Sequence, residues 1–168
     1  MTDAISQVQA AYEPLEDRIL LNITTHDKQI YSVWVTRRYL KLLIPALQGK
    51  HPRTLQPLMS GKTLEPANSE QPKTKTQSAV FEAYKTPSHG QYPLGEVPII
   101  LAKISFKALE TNHPMIELNP EKGAGFAIPY DASILELVLK VLEQALQRAA
   151  WDLEHDSTLE LPEPQSLH

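Results

Sequence analysis

Residues 18–47 read RILLNITTHDKQIYSVWVTRRYLKLLIPAL and decide the fold. Apolar and polar side chains alternate from Arg18 to Thr25 and again from Gln29 to Thr36, a pattern typical of half-buried β-strands. The polar connection His26-Asp27-Lys28 is short enough to join these strands as a β-hairpin. The rest of the stretch repeats apolar residues at helical spacing, with Thr36 as the predicted N-cap. The sequence here predicts two antiparallel strands followed by an amphipathic helix.

Strands followed by a helix return after residue 98. Alternation from Ile99 to Lys107 predicts a strand, and the runs 115–119 and 125–128 predict two more, joined by turns into an antiparallel meander. A helix from about Ala132 to Leu153 follows, with Asp131 or Ser133 as its cap. The expected fold class is α+β, with an antiparallel sheet of about five strands and two main helices packed on one face. The repeated order also suggests a ββα-type pseudo-symmetry.

Residues 50–98 separate these two regions and differ from them in composition. Prolines recur among Ser, Thr, Gln and Lys, which predicts a long, partly mobile loop. Within it, residues 77–85 have apolar side chains on one side and predict a short helix. Residues 154–168 are acidic and contain proline, so we expect them to form a tail. A chain of 168 residues with this organisation is expected to be a single domain, 1–168.

Composition narrows the class of protein. The chain is 42% apolar, carries a formal net charge of −4 and contains no cysteine. The lack of cysteine removes disulfides, thiolate metal sites and cysteine nucleophiles, and it fits a reducing compartment. No apolar run approaches the roughly 20 residues needed to cross a bilayer, and the N-terminus lacks the features of a signal peptide. We therefore expect a soluble, cytoplasmic protein without a membrane partner.

Charge is distributed unevenly along the chain. Residues 28–64 contain basic side chains but no Asp or Glu, whereas the chain from Asp152 onward contains acidic side chains but no Lys or Arg. Such asymmetry favours one of two arrangements, an anionic partner for the basic segment or acidic segments of the same chain that fold back over it.

The most informative cluster lies at the start of the first predicted helix. Arg37 and Arg38 place cations where the helix dipole favours anions, which costs roughly 0.3–1 kcal/mol each when exposed. Such cations usually have a partner, either an external anion or acidic surface, or carboxylates of this chain, from Glu13, Glu16, Asp17 or the tail. The candidate partner- or anion-binding residues are Arg37, Arg38, Lys41, Lys50, Arg53 and Trp34. Trp34 would stack on a ring if its sheet face were open, although a strand tryptophan is more often part of the core.

The sequence predicts no catalytic residues, no metal site and no cofactor. The fragment Gly61-Lys62-Thr63 lacks the upstream glycine and the strand–helix context of a phosphate-binding loop. The six histidines are scattered without the spacing of a zinc site. His155 with Asp152 and Asp156 is more typical of a solvated surface than of a metal site. There is also no Gly-x-Ser-x-Gly elbow for acyl transfer.

Three segments of the chain carry a resemblance to other proteins. They are Tyr12-Glu13-Pro14-Leu15-Glu16-Asp17-Arg18-Ile19-Leu20-Leu21, then Trp34-Val35-Thr36-Arg37-Arg38, and then Pro93-Leu94-Gly95 with the long last helix. In these segments the chain resembles a group of small uncharacterised bacterial proteins with no assigned function. The resemblance implies a bacterial, cytoplasmic origin. It implies no activity, substrate or catalytic residue.

Three functional hypotheses follow from the sequence. The leading one is a non-enzymatic protein-interaction module that binds another protein, or a second copy of itself, through the basic helix start and the apolar helix faces. The second is a nucleic-acid-binding protein that uses the basic segment 37–53 and the sheet face, although the pI of about 5.9 speaks against it. The third is an enzyme whose site is assembled from distant positions. A homodimer and a monomer both remain open.

Overall fold

The computed structural model describes residues 5–58 and 88–151. In this part of the chain, six strands form one sheet whose spatial order follows the chain order, and two helices pack on it. The elements are β1 Ile5–Glu13, β2 Arg18–Thr25, β3 Ile30–Thr36, α1 Arg37–Leu47, β4 Ile99–Lys107, β5 Met115–Pro120, β6 Phe126–Pro129 and α2 Ala132–Ala149. The protein is therefore α+β, as predicted, and three strands precede each helix.

The pairing of β3 with β4 is parallel, so the prediction of an antiparallel sheet of about five strands is wrong. Strands β1–β3 and β4–β6 are each antiparallel, as the predicted hairpin and meander require. Between these two blocks, Val33 lies opposite Ile99 and Trp34 opposite Ile100 in parallel register. After β3 the chain enters α1 and returns across the sheet before β4 begins. Such a crossover places neighbouring strands in parallel.

The sequence pattern did not predict β1, which is the sixth strand. Val8, Ala10 and Tyr12 pack against the core, while Gln7 and Gln9 alternate with them. Gln7 and Gln9 belong to the antiparallel pairing of β1 with β2, which continues to the end of β1 at Glu13. The alternation is present in the sequence, but small and polar residues weaken it, so β1 depends on β2 for its pairing.

The core lies between one face of the sheet and both helices. Alternate residues of the strands point toward this face and interlock with apolar residues of α1 and α2. The largest fully buried side chains are Ile19, Leu21, Ile23, Leu40, Leu43, Leu101, Ile116, Leu118, Leu135, Leu142, Val33 and Val35. Among the described residues, neither helix packs on the opposite face of the sheet.

Two buried tyrosines attach α1 to the rest of the fold. The Tyr39 hydroxyl donates to the Lys103 carbonyl at 3.1 Å, which joins α1 to β4. The Tyr130 hydroxyl donates to the Ala46 carbonyl at 2.7 Å. Because Tyr130 precedes α2 and Ala46 lies in the last turn of α1, the start of α2 is held against the end of α1.

The helix caps agree with the sequence in part. Thr36 caps α1 as predicted, its hydroxyl accepting from the Tyr39 amide at 3.3 Å. Of the two candidates for α2, the cap is Asp131, which accepts from the amides of Ser133 and Ile134. A carboxylate in this position satisfies free amides of the first turn and also complements the helix dipole.

The end of α2 differs from the prediction. The helix stops at Ala149, short of Leu153, because Ala150 adopts a left-handed backbone with φ of 52°. The predicted helix at 77–85 and the acidic tail at 154–168 lie outside the described residues. Of the two described helices, neither is long and apolar enough to cross a membrane.

Candidate protein-interaction surface

The sheet face opposite the helices carries a local row of apolar side chains. The strand register places Ala11 beside Leu20, Leu20 beside Trp34, and Trp34 beside Ile100. Strand alternation directs all four away from the core, so they form one line across β1–β4. Ile100 is 51% exposed, and the other three are half-buried. We call this row, together with Arg18 on the same face, the Trp34 face.

Trp34 lies outside the core, contrary to the expectation for a strand tryptophan. Its chain neighbours Val33 and Val35 are fully buried, and strand alternation turns Trp34 to the opposite face. There the guanidinium carbon of Arg18 lies 3.8 Å from the centroid of the indole ring, well inside the range of about 6 Å for cation–π attraction. Trp34 therefore presents an aromatic ring, with a cation stacked on it, on a sheet face that the helices leave open.

Arg18 is held in place by two kinds of contact. Its Nη2 forms an ion pair with the Glu16 carboxylate, and its side chain is 22% exposed. Its Nε is buried and finds no hydrogen-bond acceptor within the described ranges 5–58 and 88–151. Since a guanidinium carries five N–H donors, Glu16 and the Trp34 ring leave part of this donor set unused.

Polar side chains on this sheet face are paired with one another. Beside the apolar row, the Ser32 hydroxyl donates to Asn22 Oδ1 at 2.7 Å. On the β4–β6 block, the Ser105 hydroxyl donates to Glu117 at 3.0 Å, and Lys107 Nζ lies 2.5 Å from the same carboxylate. The hydrogen bond from Lys107 is the main reason that the pKa of Glu117 lies below its usual value, and Ser105 adds to it. The apolar row is thus bounded by polar groups that are already paired.

The predicted arginines lie at one end of the Trp34 face. Arg37 and Arg38 are exposed in the first turn of α1, and that turn contains no acidic residue. Because β3 runs directly into α1, both arginines adjoin the end of the strand that carries Trp34. Lys41 lies one turn further along α1 and is half-buried.

Lys50 and Arg53 lie elsewhere. Both are exposed and follow the C-terminal end of α1. A helix of 11 residues is about 16 Å long, so α1 separates them from the arginines at its start. The predicted basic residues therefore form two groups at opposite ends of α1, and Trp34 belongs with the first.

A hydrogen-bonded corner lies beside this first group. Asp17 Oδ1 accepts from Trp151 Nε1 at 2.7 Å and from the Tyr12 hydroxyl at 2.8 Å. The rings of Tyr12 and Trp151 also meet edge to face, with centroids 5.9 Å apart. These two hydrogen bonds, with the charge of Arg37 as a smaller contribution, hold the pKa of Asp17 below its usual value. We call Asp17, Tyr12 and Trp151 the Asp17 corner.

Trp34 is a candidate binding residue in the sequence analysis, but its neighbours Arg18, Leu20 and Ile100 are not. Their shared face follows from strand alternation, and a signal was present. On the face of Trp34, the flanking residues Ser32 and Thr36 are polar, whereas the other face of β3 is uniformly apolar. What the sequence does not contain is the register that brings β4 beside β3.

Comparison with other proteins does not supply a function for this arrangement. Comparison with models of protein families, with curated proteins and with solved structures gave no match. Within the described residues there is no group of three or more His, Asp or Glu side chains placed to hold a metal ion. A function must therefore be inferred from the Trp34 face itself.

Proposed function

We propose that this protein is a non-enzymatic protein-interaction module that binds its partner through the Trp34 face. One observation carries the proposal: the row Leu20, Trp34 and Ile100, with Arg18 stacked on the tryptophan, lies on a sheet face that neither helix covers. Tryptophan and arginine are the residues most enriched among those that dominate binding energy in protein interfaces. Burial of the row would remove apolar area from water, which favours association.

The chemistry of the surface specifies the kind of partner. The apolar row requires apolar side chains opposite it, and the positive charge of Arg18, whose side chain is 22% exposed, favours a carboxylate close by. Arg38, at the same end of the face, adds a second exposed cation. The partner we propose is a protein segment that presents apolar and acidic side chains together. A second copy of this chain is the alternative occupant.

We propose that the protein is cytoplasmic, which the absence of cysteine supports, and that it is bacterial, as the resemblance of its sequence implies. We also propose a pseudo-symmetry between the two halves of the fold. Its support is that each half consists of three antiparallel strands followed by a helix.

Site-specific photo-crosslinking in cells tests the interaction. A photoreactive amino acid at position 100 lies in the apolar row, and the same group at exposed Ala127 provides a matched control on the polar part of the same sheet face. We expect discrete adducts from position 100 and none from position 127. The adducts should disappear when Trp34→Gln is added, provided that this variant remains folded.

The identity of the adduct separates the outcomes. A distinct protein that also binds the purified chain in a Trp34-dependent manner supports the proposal. An adduct of two copies of this chain identifies self-association instead. Absence of adducts from position 100, or equal labelling from position 127, would contradict an interaction on this face.

A second candidate function is nucleic-acid binding. The observation that favours it is a half-buried aromatic ring with Arg18 stacked on it, on a sheet face that neither helix covers, an arrangement suited to base stacking. Phosphate contacts release counterions, so affinity should fall steeply as salt increases. Titration of a labelled single-stranded oligonucleotide at two salt concentrations tests this, with the Arg37→Ala/Arg38→Ala variant as the comparison. Weak binding that both proteins share would remove this candidate.

A further inference from the structure

The two outer strands of the sheet differ in how their edges are protected. In the described part of the chain, β1 and β6 each pair with a single strand. β6 has four residues and ends at Pro129, and short strands and proline are two means by which proteins prevent another strand from adding to an edge. β1 has nine residues, Ile5–Glu13, with no proline, lysine or arginine among them. The outer edge of β1 is therefore the open one.

The direction of the backbone groups in β1 follows from the hairpin beside it. The Thr25 amide donates to the Gln29 carbonyl at 2.9 Å, so Thr25 directs its backbone N–H toward β3. Because successive residues of an antiparallel strand bond to opposite sides, Asn22 directs its N–H and C=O toward β1. Asn22 lies opposite Gln9, so the backbone groups of Gln9 are bonded to β2.

Every second residue of β1 therefore directs its N–H and C=O outward. These outward residues are Val8, Ala10 and Tyr12. Their side chains pack against the core but are half-buried, because the sheet ends at β1. The register shift in β1 lies between Ile5 and Gln7, so the segment Gln7–Glu13 is regular and its outward groups have no strand partner among the described residues.

We propose that the edge of β1 is a dimer interface, at which Gln7–Glu13 pairs with the same segment of a second copy in antiparallel orientation. Such a pairing has two-fold symmetry, and the axis passes beside Ala10, the midpoint of the segment. Each outward N–H then meets an outward C=O of the second copy. The sheets of the two copies become one continuous sheet.

The side chains are compatible with this register. On the core side, Val8 lies opposite Tyr12 of the second copy, and pairs of aromatic and β-branched residues stabilise antiparallel strands. On the other side, Gln9 lies opposite Ala11, and Gln7 lies opposite Glu13, which is the one charged residue of the segment. No like charges meet across the axis, and this favours a second copy as the occupant of the edge.

The mass of the full chain in solution is the first measurement. Sedimentation equilibrium over a concentration series should show a species of twice the chain mass of 18.9 kDa. Trp34→Gln should leave this dimer intact, because Trp34 lies in β3, away from the edge. A mass of one chain at every concentration, or loss of the dimer in Trp34→Gln, would overturn the proposal. A monomeric result does not bear on photo-crosslinking at position 100, so the two proposals fail independently.

Substitution of Gln7 tests the register through the sign of a charge. Gln7→Lys places a cation opposite Glu13 of the second copy and should lower the dissociation constant about fivefold. Gln7→Glu places like charges opposite each other and should raise it by a similar factor. Gln9→Lys and Gln9→Glu are the matched controls, because Gln9 is on the same side but lies opposite Ala11. If the two Gln7 variants differ no more than the two Gln9 variants, this pairing is wrong.

Disulfide formation between mixed variants tests the same register without a change of charge. The chain contains no cysteine, so Gln9→Cys and Ala11→Cys each introduce a single thiol. Opposite residues in a pair that is not hydrogen-bonded have Cα atoms about 4.5 Å apart, which a disulfide can span. Under mild oxidation, the equimolar mixture should give a covalent dimer, and each variant alone should give much less. No covalent dimer in the mixture, or an equal yield from one variant alone, would overturn the register and with it the proposal.

Discussion

Trp151 and Asp17 are joined by a 2.7 Å hydrogen bond between indole and carboxylate, although 134 positions separate them in the sequence. Trp151 follows α2, and Asp17 lies in the turn between β1 and β2. The Tyr12 hydroxyl donates to the same oxygen, and the edge of one ring meets the face of the other. The bond attaches the end of the last helix to the first two strands of the sheet.

The first prediction concerns the pKa of Asp17. The Trp151 hydrogen bond is the largest cause of its lowering, so Trp151→Phe should raise the pKa toward the ordinary value of an aspartate. A folded-state pKa below the unfolded value contributes stability that is present above the unfolded pKa and is lost as the pH falls through the folded pKa. Carbon-detected NMR titration of the Asp17 carboxyl measures the shift. Trp34→Phe is the matched control and should leave it unchanged; an unaltered pKa in Trp151→Phe would refute the assignment.

The second prediction concerns the stacking of Arg18 on Trp34. A double-mutant cycle with Arg18→Met and Trp34→Leu isolates the interaction between the two side chains. Because Arg18 is mostly buried over the ring, we expect a coupling free energy of about 1 kcal/mol. Denaturant unfolding of the four proteins measures it. Additive effects of the two substitutions would show that the stacked geometry contributes no stability.

The third prediction is an alkaline loss of stability that depends on Tyr130. Burial raises the pKa of Tyr130 from 10.0 to about 12. This contribution is fully present below the unfolded pKa, near 10.0, and is lost as the pH rises through the folded value. Tyr130→Phe should therefore lower the free energy of unfolding by about 1 kcal/mol at neutral pH, because the hydrogen bond to Ala46 is lost. The difference in unfolding free energy between the variant and wild type should narrow above pH 10.

Unfolding free energies at pH 8 and at pH 11 test this dependence. The matched control is Tyr92→Phe, which removes a hydroxyl that has no hydrogen bond to any described residue. The difference in unfolding free energy between Tyr92→Phe and wild type should not narrow between pH 8 and pH 11. A constant gap between Tyr130→Phe and wild type would contradict the prediction.

The fourth prediction concerns the close approach of Gly125 to β5. A Cβ at this position would lie 2.1 Å from the Leu118 carbonyl oxygen and 2.7 Å from the Asn119 Cα, so the backbone must move. We expect Gly125→Ala to destabilise the protein at the upper end of about 1–3 kcal/mol and to shift the amide signals of β6. At Gly123 nothing lies within 4 Å of a Cβ, although φ is +97°. Gly123→Ala should therefore cost only about 1 kcal/mol, from backbone strain, and equal losses at both positions would argue against the contact.

Local patterns predicted the parts of the fold that depend on local chemistry. The bounds of β2 and β4 and the Thr36 cap agree with the structure because alternation and capping involve residues adjacent in sequence. The sequence pattern did not predict β1 because Val8 is the only large aliphatic residue between Gln7 and Tyr12, so the apolar alternation there is weak. Its identity as a strand comes from pairing with β2, which the residues of β1 do not themselves encode.

The candidate surface could be predicted only in part, for a related reason. Alternation in β3 separates Trp34 from Val33 and Val35, and the polar neighbours of Trp34 indicate which face remains open. The contribution of Ile100 depends on a strand pairing across a connection of roughly sixty residues, for which local sequence holds no pattern. The basic residues can be read from the sequence, but their division between the two ends of α1 depends on where the helix ends.

The parallel pairing of β3 with β4 also has a kinetic consequence. The antiparallel blocks on either side form from contacts close in sequence, whereas this pairing must close a loop of roughly sixty residues, and loop closure opposes early formation. We expect β2 and β3 to be structured in the folding transition state and the junction with β4 to form after it. Leu21→Ala should then slow folding, while Ile99→Ala should mainly accelerate unfolding. The open face would accordingly be completed last, so a chain interrupted late in folding would have its core hairpin but no Trp34 face to offer a partner.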